Sequence, residues 1–94
     1  MDFGEKIKTL REKKELLQRQ LAAELQIDTP MFSKIERGER RAKREQVLIL
    51  VKLLDTTEDE LLPIWLADRV FDFVKDEKFG LESLKLVKKK LKAK

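Results

Sequence analysis

The side chains in this 94-residue chain that can do chemistry are mostly cations: 22 Lys and Arg stand against 18 Asp and Glu, with no Cys and no His. Without His or Cys, the usual general base, the thiolate nucleophile and the commonest metal ligands are all missing. Glu58-Asp59-Glu60 is a carboxylate cluster, but Thr57 in front of it makes a helix start a sufficient explanation, since acidic side chains offset the positive end of the helix dipole. No glycine-rich phosphate loop occurs. An enzyme is not expected, nor a cofactor, nor a metal site. The remaining chemistry is ionic. Arg37-Gly-Glu-Arg-Arg-Ala-Lys-Arg44 packs five cations into eight residues. Such a run is either a solvated loop or a clamp on phosphate oxygens, which accept hydrogen bonds from Arg and Lys.

The clamp reading depends on what positions the run. Residues 18–38 have the pattern of two short helices joined by a tight turn. Leu21, Ala22 and Leu25 share one helix face. Asp28 stands where an N-cap belongs, and Pro30 behind it is tolerated in a first turn, where its missing N–H costs nothing. Phe32 and Ile35 turn the second helix back onto the first, and Gly38 supplies the left-handed stop. The small pair Ala22-Ala23 lets two helices cross closely. This spacing fits both an ordinary αα-hairpin and a pair whose second helix enters the DNA major groove. A basic run directly after a groove-reading helix would lie over the sugar-phosphate backbone.

Upstream, Phe3, Ile7 and Leu10 predict a first helix over Phe3 to Lys14. Downstream, Val47, Leu48, Leu50, Val51 and Leu54 predict a fourth helix, from Ala42 or Lys43 to Leu54, buried over much of its surface. Thr57 to Glu60 reads as a capping box opening a fifth helix, which Pro63 either ends or kinks. Trp65, Leu66, Val70, Phe73 and Val74 favour continuation to about Lys75. A last helix runs from Leu81 to about Lys92, with Leu84, Val87 and Leu91 on one face. Five helices already enclose a small core, so Trp65, Val70, Phe73, Val74, Leu84, Val87 and Leu91 need another surface. They either fold back on the domain or form a homodimer interface.

Charge is distributed unevenly. Residues 1–44 carry 12 basic and 8 acidic side chains, residues 45–75 carry 3 and 7, and residues 76–94 carry 7 and 3. A polyanion would meet the first half or the tail rather than the acidic middle. The opening residues are charged, unlike a signal peptide, and no run approaches the ~18 apolar residues of a membrane span. A soluble cytoplasmic protein, with no membrane partner, is the expectation.

Phe3-Gly4-Glu5-Lys6-Ile7 through Arg11-Glu12-Lys13-Lys14, then Gln18-x-x-Leu21-Ala22, then Phe32-Ser33-Lys34-Ile35-Glu36-Arg37-Gly38, together resemble the Xre-type (Cro/CI-like) helix-turn-helix family. Glu58 to Leu62 is similar to the usual start of that family's fifth helix. The resemblance implies an all-α, five-helix lambda-repressor-like domain over residues 1–62, followed by a helical extension over residues 63–94. It implies a sequence-specific transcriptional regulator, most often a repressor; joined as a homodimer through the C-terminal stripes, it would meet an inverted-repeat operator in double-stranded DNA. Thr29, Pro30, Met31, Ser33 and Lys34 would read bases, with Lys34 donating to guanine and Thr29 touching a base or a thymine methyl. Gln18, Arg37, Arg40, Arg41, Lys43 and Arg44 would meet phosphates, and Arg11 and Glu36 would form a structural ion pair. Leu17 stands where the family has a capping Ser, Thr or Asn, Gln26 where it commonly has Gly, and Pro30 is unusual at a reading position. The alternative function is an antitoxin-like module that holds a protein partner with its C-terminal helices.

Overall fold

The computed structural model describes residues 2–94, and among them there are six helices and no strand: α1 Phe3–Lys13, α2 Gln18–Glu24, α3 Thr29–Glu36, α4 Arg44–Leu53, α5 Glu58–Val74 and α6 Gly80–Ala93. Local chemistry sets most of the starts. Asp2 accepts the Glu5 N–H at 2.8 Å and Asp28 accepts the Met31 N–H at 2.7 Å, each satisfying a free donor of a first turn. Leu17 has no acceptor to offer α2, but the Gln20 side chain reaches back to the Leu17 N–H at 2.7 Å. Gln46 does the same for the Lys43 N–H at 2.8 Å, so α4 begins at Arg44. At α5 only half of the expected capping box forms. Thr57 accepts the Glu60 N–H, whereas the Glu60 carboxylate turns to Lys6 at 2.7 Å and to the Thr56 hydroxyl.

Helices α1 to α4 all end in the same way. The residue after each C-cap is left-handed, and the next N–H bonds back to the carbonyl five residues earlier, as in Leu16 to Arg11, Ile27 to Ala22, Glu39 to Lys34 and Thr56 to Val51. Gly38 takes this conformation freely at φ 77°, but Glu15, Gln26 and Asp55 hold φ between 53° and 58° with a side chain attached. Gly4 is needed for a different reason. A Cβ there would lie 2.3 Å from the Glu36 carbonyl oxygen, so its absence lets α1 lie directly on the end of α3.

The core gathers one face from each of α1 to α5. Ile7, Leu21, Phe32, Val47, Leu50 and Leu61 are completely or almost completely buried. Each such side chain contributes about 1.5–3 kcal/mol relative to exposure. Helix α4 is buried on one face only, since Leu48 and Ile49 reach solvent. Pro63 does not stop α5, which runs unbroken for 17 residues.

One expectation is corrected here. Trp65 is 3% exposed and belongs to the core, not to an outer face. Helix α5 runs across residues 62 and 63, where the extension was expected to begin, and its second half still contacts the domain. Asp68 accepts the Phe3 N–H at 2.9 Å, and Asp72 pairs with Arg41. What stands apart is α6, which makes no extensive packing with any other helix. The radius of gyration is accordingly 15.0 Å, against about 12 Å for a compact chain of this length. Among the described residues, no helix is long and apolar enough to cross a membrane.

Candidate nucleic-acid interface

Helix α3 buries Phe32, Ile35 and Glu36, which leaves Pro30, Ser33, Lys34 and Arg37 around its opposite side by helical periodicity. Thr29, Pro30 and Lys34 are exposed, while Met31 and Ser33 are half-buried. The face is short, rigid at its start and cationic at its end. Asp28 caps it, and Pro30 in the first turn removes backbone freedom.

A buried polar network holds this face in place. Glu36 is 2% exposed at its side chain, and both of its oxygens are bonded. Arg11 donates to them at 2.7 and 3.1 Å, Gln18 donates to one of them at 2.8 Å, and Arg11 also donates to the Leu16 carbonyl at 2.9 Å. The network ties α1, the α1–α2 turn, α2 and α3 together. The pairing with Glu36 raises the Arg11 pKa above its ordinary value, so the guanidinium stays charged. The structure thus brings Arg11 and Glu36 together, and it joins Gln18 to them. Gln18 spends one amide N–H on Glu36 and keeps a second donor on the same nitrogen.

The five cations of residues 37–44 differ in their surroundings. Arg37 donates to Ser33 at 2.5 Å and to Glu39 at 2.6 Å, and this pairing raises the Arg37 pKa and holds the Glu39 carboxyl below its usual range. Arg41 pairs with Asp72, and Arg44 lies over the Trp65 ring at 4.9 Å. Arg40 and Lys43 are exposed, and among the described residues neither side chain enters an ion pair. Helix α5 shapes the loop. The Trp65 Nε1–H donates to the buried Ala42 carbonyl at 2.8 Å, pinning the segment from which Arg40, Arg41 and Lys43 project.

Sequence reasoning missed the α5 side of this surface. Leu61, Trp65, Asp68 and Asp72 recur at helical spacing and form the face turned to the domain. Arg69 was also missed; it lies 5.0 Å from the Trp65 ring and adds a cation beside Arg44. The residues expected at a dimer contact do not meet each other within one chain as a core. Phe73 is 84% exposed, Val70, Val87 and Leu91 are exposed, and Val74 and Leu84 are half-buried. Pro63, Leu66, Val70, Val74 and Leu84 line an open apolar groove on the side of α5 facing away from the core.

A family model described as a helix-turn-helix domain matches residues 2–63, two thirds of the chain. No curated protein and no solved structure matched it.

Proposed function

The chain belongs to the helix-turn-helix domain family, and from that premise we propose that it is a sequence-specific regulator of transcription, a repressor of Xre (Cro/CI-like) type acting on double-stranded DNA as a homodimer. The observation that carries this reading is the exposed face of α3, braced from behind by Arg11, Gln18 and Glu36 and followed at once by the cationic loop. In the proposed complex α3 lies in the major groove. Lys34 donates to guanine O6 or N7, and Thr29 contacts a base or a thymine methyl. Met31, Pro30 and Ser33 contribute shape and short polar contact. Gln18, Arg37, Arg40, Arg41, Lys43 and Arg44 hold phosphates, which fixes register and makes affinity fall steeply with salt. Repression follows from occupancy, because a bound operator is closed to other proteins.

The dimer part of the proposal rests on the uncovered apolar side of α5 and on α6. Val70, Phe73 and Val74 with Leu84, Val87 and Leu91 are more apolar surface than one solvated helix pair ordinarily leaves bare. Two copies joined there would present two α3 helices to half-sites about one helical turn apart. Selection of bound duplexes from a random library tests both parts. The expected product is an inverted repeat. A single enriched half-site would refute the dimer, and salt-sensitive retention without enrichment would refute base reading. The last result would favour a module that holds a protein partner on the α5–α6 face.

A further inference from the structure

We propose that Asp72 is a positioning residue for DNA binding: its carboxylate occupies Arg41 as a phosphate would, and thereby sets how tightly duplexes of any sequence are held. The inference rests on the DNA-binding reading above. Arg41 and Asp72 are 31 residues apart and lie on different elements, so the tertiary fold makes this pair rather than local chain geometry. Lys75 approaches the other oxygen of Asp72 at 3.7 Å, which places the carboxylate between two cations. Both partners of the Arg41–Asp72 pair are nearly half exposed. Ion pairs in that setting add little stability, so the contact is cheap to exchange for another anion. A phosphate oxygen presents the same chemistry to a guanidinium as a carboxylate oxygen does. The Trp65–Ala42 hydrogen bond fixes the backbone beside Arg41. A cavity of about 190 Å³ adjoins the pair, lined by Phe3, Gly4, Ala42, Trp65 and both of its members. Asp72 therefore competes with DNA for one member of the clamp, in the same way that Glu39 engages Arg37.

The test is a cycle of Asp72→Asn, Arg41→Ala and the double variant, with affinity measured across a salt series for a duplex taken from the random-library selection and for a duplex of unrelated sequence. Asp72→Asn is expected to tighten binding to every duplex by about two- to fivefold, the range that an exposed ion pair represents. It is also expected to steepen the log affinity against log salt slope by up to about 0.9, one phosphate contact. Arg41→Ala should abolish that gain. A gain that persists in the Arg41→Ala background would overturn the proposal, because removal of a negative charge anywhere near DNA would produce it. An unchanged or weaker Asp72→Asn complex would overturn it as well, while wild-type binding to DNA left that wider reading standing. Failure of the wild-type chain to hold any duplex would overturn both.

Discussion

Arg11→Ala removes two of the three hydrogen bonds that hold the Glu36 carboxylate, and it leaves a charge that is 2% exposed with only Gln18 for company. Breaking one side of a buried pair costs about 3–5 kcal/mol, because the remaining ion is neither solvated nor neutralised. In a domain of this size each kcal/mol moves the melting midpoint by about 4–8 °C, so the expected fall is at least about 12 °C. Total stability of such domains is about 5–15 kcal/mol, so the loss takes from about a fifth of it to all of it. The loss comes from the orphaned charge rather than from the missing attraction. Arg11→Met with Glu36→Leu, which removes both charges and keeps volume, should therefore melt above Arg11→Ala. Thermal melts followed by circular dichroism decide the matter, with duplex binding measured well below each midpoint. A fall of less than about 4 °C for Arg11→Ala would mean that the pair behaves as a surface bridge. So would a double variant less stable than the single one. Either result would refute the bracing argument.

Further predictions concern the turn, the groove face and acid stability. Gln26→Gly relieves a left-handed residue at φ 58° and should raise stability by about 1 kcal/mol, net of the added freedom of the unfolded chain, as read from denaturant midpoints. Lys34→Ala should relax sequence preference in duplex selection; unchanged preference and affinity would show that α3 is not the reading helix. Arg40→Ala, which breaks no ion pair seen among the described residues, should weaken all duplexes alike and reduce the salt slope by about 0.9. Lys6, with help from Thr56, holds the Glu60 carboxyl below its ordinary range. A carboxyl with a depressed folded pKa stabilises above its unfolded pKa, and that contribution is lost as pH falls through the folded value. Lys6→Ala should therefore lower the melting midpoint at pH 7, and the difference from wild type should vanish as pH falls through the folded Glu60 value and the carboxyl protonates in both chains.

Much of the fold was legible in residue order because the signals are local. Apolar spacing marked all six helices within a residue or two, Asp28 marked the start of α3, and Gly38 marked its end, since caps and left-handed stops are decided by a few adjacent residues. The candidate reading face, Thr29 to Lys34, was equally legible, as was the basic run after it. The placement of α5 was not. Its apolar residues form two stripes on opposite sides, Leu61 and Trp65 on one and Leu66, Val70 and Val74 on the other, and periodicity cannot say which of two apolar stripes turns inward. Trp65 was grouped with the wrong stripe. The three-dimensional fold decided for it because its indole N–H, once buried, needs an acceptor, and the Ala42 carbonyl lies within 2.8 Å only when that side of α5 faces the loop. The same rotation carries Asp72 to Arg41 and Asp68 to the start of α1. Sequence by itself determined the helices and the run of cations after α3. Tertiary structure determined which of those cations already have a partner, because a pairing across 31 residues depends on how helices pack and not on what stands next in the chain.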